Sequence, residues 1–163
     1  MTANTDIRYL KGVGAKRAEI LKGKGIDTVG ALLRFFPRKY LDWTDITAVK
    51  DALPNQNVCI KAKIVTHIET LETRRGITLY KFIASDKTDR FAVTLFNQRF
   101  LAEKLKYGCE YLFYGKFDEN LILRQMNSPI IKEVSFNRIE PIYNASKNMP
   151  SATIQKLVKT ALD

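Results

Sequence analysis

The chain has 163 residues, 45% of them hydrophobic, and its 27 Lys and Arg against 17 Asp and Glu give a formal net charge of +10. That length supports one full core and a small appended module and excludes a two-lobed motor, while the apolar fraction excludes a disordered chain. No apolar stretch approaches the roughly 20 residues that cross a bilayer, and Met1-Thr2-Ala3-Asn4-Thr5-Asp6 lacks the charged and apolar regions of a secretory leader, so a soluble cytoplasmic globule is predicted.

Residues 1–50 read as helices with tight glycine turns. Leu10-Lys11-Gly12-Val13-Gly14-Ala15-Lys16-Arg17 leads into Ala18, Ile20 and Leu21, and Gly23 and Gly25 then break the pattern. Asp27 or Thr28 is placed to cap a second helix through Val29, Leu32 and Phe36, stopped by Pro37. A Gly-apolar-Gly turn before a basic helix start is similar to a helix-hairpin-helix module, in which glycines let backbone approach a phosphate at the positive end of a helix. Gly12, Gly14 and Lys16 are therefore candidate phosphate contacts; a helical cap that only packs on its neighbours explains the pattern as well. An irregular linker, 38–57, carries Trp43 as a packing anchor.

Residues 51–131 form the predicted main domain. From Val58 the period is two: Val58, Ile60, Ala62 and Ile64 alternate with Cys59, Lys61 and Lys63, a half-buried strand. A polar loop, 69–76, carries Arg74 and Arg75. A second strand spans 77–85, Asp86-Lys87-Thr88-Asp89 turns, and a third strand puts Phe91, Val93 and Leu95 on one face. A short helix spans 98–106, a fourth strand 110–117 and a fifth 121–126. Three strands, a helix and two strands is the order of an OB fold, a five-stranded Greek-key barrel; a small sandwich or an SH3-like barrel is the rival. The class is thus mainly β with flanking helices (α+β). Residues 132–163 are an extended linker and a final helix, capped by Ser151, whose apolar face of Ile154, Leu157, Val158 and Ala161 is expected to pack on the barrel or on whatever follows.

Catalytic and metal chemistry are not predicted. No G-x-x-x-x-G-K-[ST] phosphate loop occurs, and a lone His67 leaves no Ser-His-Asp set. Asp42/Asp45, Asp86/Asp89 and Asp118/Glu119 lie at turns, where acids act as caps. Cys59 and Cys109 lack zinc-ligand spacing and are read as buried free thiols in strands. The basic excess points to a polyanion instead: 10 basic against 5 acidic residues in 1–50, 12 against 9 in 51–131 and 5 against 3 in 132–163 spread it over a folded surface.

OB barrels bind nucleic acid on strands two and three and through the loops joining strands one to two and four to five. The first of those loops holds Arg74 and Arg75, and the second begins beside Lys116. If Phe91, Val93 and Leu95 face the core, Phe96 faces outward, with Phe100 one helical turn later across Asn97-Gln98-Arg99. Two rings beside Arg99 would make a stacking platform for bases; alternatively they plug the end of the barrel beneath the helix.

Tyr9-Leu10-Lys11-Gly12-Val13-Gly14-Ala15-Lys16-Arg17 and Phe36-Pro37-Arg38-Lys39-Tyr40 resemble the opening of the RecG helicase family. Leu95-Phe96-Asn97-Gln98-Arg99-Phe100-Leu101 resembles that family's barrel hallmark, and Ile139-Glu140-Pro141-Ile142-Tyr143 the stretch leading into its motor. The resemblance implies the wedge domain of an ATP-dependent helicase that remodels stalled replication forks and Holliday junctions in DNA repair and recombination. It assigns base stacking to Phe96 and Phe100, and the basic residues beside them and in the barrel loops, Arg74, Arg75, Arg99 and Lys116, are the expected phosphate contacts. The motor lobes that would use ATP and magnesium do not follow before Asp163, so the chain is expected to bind branched DNA as a monomer near the nucleoid, beside its parent's motor domains, without cofactor or catalysis. An RNA-binding OB module and a protein-interaction OB domain remain the alternatives.

Overall fold

The computed structural model describes residues 2–163. In chain order it holds a 3-10 turn at Ile7–Tyr9, α1 (Ala15–Lys22), α2 (Val29–Leu33), β1 (Lys39–Asp42), a second 3-10 turn at Val49–Asp51, β2 (Asn57–Ile64) and β3 (Glu69–Glu72). It continues with β4 (Thr78–Ser85), β5 (Arg90–Phe96), α3 (Arg99–Lys104), β6 (Glu110–Glu119), β7 (Arg124–Asn127), β8 (Ile130–Glu133), β9 (Ile139–Ile142) and α4 (Ser151–Leu162). Two compact units result: the residues up to Leu41 together with Ile139–Asp163, and Asp42–Arg138. Residues 42–50, expected with the N-terminal helices, and 132–138, expected with the C-terminal linker, therefore belong to the barrel unit. Among the described residues no helix is long and apolar enough to cross a membrane.

The helical unit is closed by both ends of the sequence. Thr28 is the cap of α2, its Oγ1 accepting from the Ala31 N–H at 3.1 Å. α2 ends at Leu33 rather than Phe36, since Pro37 disfavours helical backbone just before it and the Phe35 N–H turns back to the Leu32 carbonyl. β1, in a stretch expected to be irregular, pairs with β9. That pairing is followed by α4, whose Ile154 and Leu157 are buried in one core with Ile7, Leu10, Leu21 and Leu32. The apolar face of α4, expected to pack on the barrel or on a following segment, thus meets α2. Ser151, expected as the cap of α4, is its first residue; Pro150 precedes it, and the Ser151 Oγ accepts from the Tyr143 N–H at 3.0 Å.

In the barrel unit β2 pairs with β4, β4 with β5, β5 in parallel with β7, β7 with β6, and β6 back with β2, closing the sheet. Counted along the barrel this is strand one, two, three, five, four and one again, with α3 between three and four, which is the OB topology. Period-two burial builds it: Phe82, Phe91, Val93, Phe113, Phe117 and Met126 meet inside, Phe91 standing edge-on to Phe113 at 5.5 Å. β3 and β8 are additions, on β4 and β6 respectively. The polar loop expected at 69–76 is therefore half strand, because Glu-Thr-Leu-Glu satisfies its backbone on the free edge of β4. The fifth barrel strand starts at Arg124, three residues later than predicted. The Asn120 side chain accepts from the Ile122 and Leu123 N–H groups at 2.9 and 2.8 Å and bends residues 120–123 into a turn.

The two thiols also part company. Cys59 is buried on the outer side of β2, where Trp43 covers it, and burial and then the Asp42 and Asp45 charges push its thiol up to about 11. Cys109 precedes β6 and is exposed, contrary to the expectation of two buried thiols. Maleimide labelling of the folded chain at neutral pH is expected to modify Cys109 and spare Cys59 until denaturant is added, since only thiolate reacts; mass spectrometry of tryptic peptides reads the site.

Candidate nucleic-acid interface

The register of β3, β4 and β5 sets out an external surface in rows. Leu71 lies opposite Leu79 and Leu79 opposite Phe96; Glu69 lies opposite Lys81 and Lys81 opposite Thr94; Ile83 lies opposite Ala92 and Ala92 opposite Gln125. Opposed residues share a face of a sheet, and because Tyr80, Phe82 and Val93 are buried, these rows point away from the core. Thr66, His67, Lys81, Ile83, Thr94 and Leu123 border a groove of about 390 Å³ on this face. The His67 ring stacks on Tyr107 at 4.9 Å, and neither residue was assigned chemistry from sequence.

Phe96 closes the first row at the end of β5. It is 43% exposed, and Phe100 is 80% exposed. The local cause is Asn97, which takes a left-handed φ of 53°, a conformation asparagine tolerates better than most residues. Its N–H donates to the Thr78 carbonyl at 2.8 Å and its Oδ1 accepts from the Thr78 N–H at 2.9 Å, so the chain reverses at a fixed point beside the start of β4. α3 then turns Ala102 inward, with Leu105 just beyond it, and leaves Phe100 on its far side. Those two residues occupy the place that the alternative reading gave to the phenylalanines.

Arg99 begins α3 with its side chain 75% exposed; its Nε donates to Glu103 Oε1 at 2.7 Å. An exposed i,i+4 pair is worth well under about 1 kcal/mol, too little to hold the guanidinium against a competing anion. Arg74 and Arg75 form the exposed tip of the β3–β4 hairpin, a turn held by the Gly76 N–H on the Thr73 carbonyl at 3.0 Å and by Gly76 in left-handed backbone at φ 73°. Because Glu72 pairs with Thr78, and Thr78 is clamped to Asn97, this tip projects at the Phe96 end of the sheet.

The structure brings Arg74, Arg75, Phe96, Arg99 and Phe100 to one end of the barrel. Lys116 is exposed on β6, one residue beyond the last β6–β7 pair, Phe117 with Met126, and so two strands around from β5. The loop joining barrel strands four and five was expected to begin beside Lys116. It begins instead after Glu119, at the Arg90 end of β5, about 20 Å from Phe96 at 3.3 Å per residue. Its tip is apolar, with Leu121 and Ile122 almost wholly exposed.

In the helical unit, Gly12 adopts φ 93° and its carbonyl accepts from Arg17 Nη1 at 2.7 Å. Gly14, in extended backbone, caps α1, and Lys16 is exposed beside it at the rim of a concavity of about 490 Å³.

Two of the three acidic pairs hold turns, whereas Asp118 and Glu119, expected at a turn, end β6 and pair with Gln125 and Arg124 of β7. Asp42 accepts from the Thr44 N–H and hydroxyl at 2.9 and 2.6 Å, which draw its carboxyl below the usual range. Burial pushes Asp86 up, but donors from Thr88, Val49 and Asp89 outweigh it and leave the group lowered. Arg124 binds Asp89 at 3.0 Å and Glu119 at 2.9 Å. Among the described residues no three His, Cys, Asp or Glu side chains gather as a metal site would require.

Two members of the surface escaped sequence reading. Asn97 carried a signal, an asparagine between a strand end and a helix start. Leu71 carried little, since four residues of alternation inside a polar stretch do not distinguish a strand from a loop.

Comparison with known proteins places this surface in context. The RecG wedge domain family matches residues 6–163. The ATP-dependent DNA helicase RecG of Thermotoga maritima is 34% identical over 161 residues, 94% of this chain and 20% of that protein. RecG of Streptococcus pneumoniae serotype 4 is 27% identical over 164 residues, all of this chain and 24% of that protein. A solved structure of RecG bound to a three-way DNA junction superposes with a TM-score of 0.79 at 30% identity, covering 98% of this chain and 22% of the other. The chain thus spans about a fifth to a quarter of the length of these relatives. With a closed OB barrel, the Phe96–Phe100 segment at its rim and a family match over nearly every residue, the chain belongs to the RecG wedge domain family.

Proposed function

We propose that this chain is the branched-DNA-binding wedge of a RecG-type helicase that remodels stalled forks and Holliday junctions in repair and recombination. The exposed phenyl rings of Phe96 and Phe100, beside Arg99 and the Arg74–Arg75 hairpin, carry this reading. The rings lie flat on the last base pairs of the parted arms, while Arg74, Arg75, Arg99 and Lys116 hold phosphates. The turn of Gly12 and Gly14 with Lys16 is a second phosphate contact. Strands are split mechanically: duplex is drawn against the barrel by the parent's motor domains, which supply ATP and magnesium chemistry, and this chain takes no part in hydrolysis. The parent works in the cytoplasm at the nucleoid, and this chain acts as a single copy.

Phosphate contact gives affinity without sequence preference, and each contact adds about 0.7–0.9 to the steepness of log K against log salt. Fork binding by the 163-residue chain is therefore expected to fall steeply with salt, and Arg74→Ala/Arg75→Ala to lower the slope by about 1.4–1.8. Fluorescence anisotropy with fork, duplex, single-stranded DNA and an RNA hairpin checks both points. An unchanged slope in the double variant would release the hairpin from the interface, and RNA competing as well as fork would turn the reading to an RNA-binding module.

A further inference from the structure

We infer that the helical unit carries a DNA surface of its own, a cationic cleft between the Gly12 turn and α4 that seats the phosphates of a continuous duplex arm. The inference rests on the branched-DNA reading above and deepens it by adding a contact to paired rather than parted DNA. The cleft encloses about 690 Å³ and is bordered by Lys11, Arg17, Lys156 and Lys159, with the hydroxyls of Thr153 and Thr160 among them. All four cations are exposed. Thr153, Lys156 and Thr160 recur at three- and four-residue spacing and so share one face of α4. At 1.5 Å per residue that stripe is about 10 Å long. Arg17 is fixed at the cleft by its Nη1, which donates to the Gly12 carbonyl at 2.7 Å. The same residue borders the concavity of Gly14 and Lys16, so the two hollows share a wall and Lys16 extends the cationic lining.

The lining selects the occupant. Four cations face a single acid, Asp163. The end of a helix favours a cation such as Lys159, in the last turn of α4. That does not account for Lys11, Arg17 and Lys156, which the Gly12 turn, α1 and the middle of α4 bring to one hollow. Gathering like charges costs Coulomb repulsion, which a bound polyanion relieves. Among the described residues no aromatic ring lines the cleft, so it offers an unpaired base nothing to stack on. Its apolar side chain, Leu157, is 3% exposed, which leaves no apolar centre for a protein partner. Ammonium, guanidinium and hydroxyl groups are the donors that phosphate oxygens take, and they read no sequence.

The test measures binding of blunt duplex and of fork DNA over a range of salt. It compares the unsubstituted chain with Lys156→Gln/Lys159→Gln, Lys156→Arg/Lys159→Arg and Phe96→Ala/Phe100→Ala. Lys50→Gln/Lys87→Gln, at exposed positions of the barrel unit, is a control of equal charge loss. Glutamine and arginine are both good helix formers, so α4 is retained. The glutamine variant of the cleft is expected to lower the slope of log K against log salt by about 1.4–1.8 on duplex and fork alike, and to keep the preference for forks. The arginine variant and the control are expected to follow the unsubstituted chain. A duplex slope that the glutamine variant leaves unchanged overturns the cleft, and so does an equal fall in the control, which assigns the loss to net charge. If the phenylalanine variant nevertheless loses the preference for forks, the branched-DNA reading stands without the cleft; if that variant too is unchanged, both fall.

Discussion

Replacing Phe96 and Phe100 by alanine is expected to erase the preference for forks over duplex while leaving the barrel folded. The two rings are 43% and 80% exposed, so truncation removes little from the interior, and the clamp between Asn97 and Thr78 that positions them is made by backbone and an amide. Stacking of a base on an aromatic ring contributes about 1–3 kcal/mol. Two rings therefore supply at least about 2 kcal/mol, and a loss of that size is roughly thirtyfold in affinity. The loss should fall on substrates that offer a terminal base pair or an unpaired base, since continuous duplex presents no free face; its binding rests on Arg74, Arg75, Arg99 and Lys116. Phe100→Tyr, which keeps the aromatic plane, should bind forks as the unsubstituted chain does, whereas Phe100→Leu, similar in bulk but without a plane, should lose one ring's share, about fivefold or more. Anisotropy titrations with fork and duplex, paired with thermal unfolding, check each point. An equal loss on fork and duplex would detach the rings from the branch point.

The largest effect on stability is expected at Trp43. Its side chain is wholly buried, tilted against Tyr114 at 5.4 Å and edge-on to Phe136 at 5.8 Å. Phe136 is itself flanked by the Arg138 guanidinium at 4.0 Å and the Lys132 amine at 4.6 Å from its ring. Trp43→Ala opens a cavity beneath those rings and exposes the layer covering Cys59, at a cost of about 3–5 kcal/mol. For a unit of this size each kcal/mol shifts the midpoint by about 4–8 °C, so a fall of more than about 10 °C is expected. Trp43→Phe retains part of the packing and should fall between. Fork affinity measured well below the new midpoint should be unchanged, because a wholly buried side chain offers no face to DNA. A variant with an intact midpoint and weakened DNA binding would make Trp43 a stacking residue.

Which parts of this molecule could be read in one dimension follows from the range of the interactions involved. The barrel order was legible because each strand records its own burial: Val58, Ile60, Ala62 and Ile64, and Phe91, Val93 and Leu95, alternate within a few residues, and Asp86-Lys87-Thr88-Asp89 marks the reversal between β4 and β5. Strand parity likewise turned Phe96 outward, and the short distance from a strand end to a helix start put Phe100 near it. Local sequence could not say whether those rings plug the barrel. That was decided by α3 and the residue after it, which turn Ala102 and Leu105 into the core. The pairing of β3 with β4, the withdrawal of Leu121 from β7 into an asparagine turn, and the exposure of Cys109 also depend on neighbours that sequence spacing does not name. The joining of β1 with β9, which closes α4 on α2, links segments about a hundred residues apart. Periodicity reports which side of a segment seeks burial; only the folded chain decides what buries it, because the partner is chosen by shape and by backbone hydrogen bonds made across long stretches of sequence.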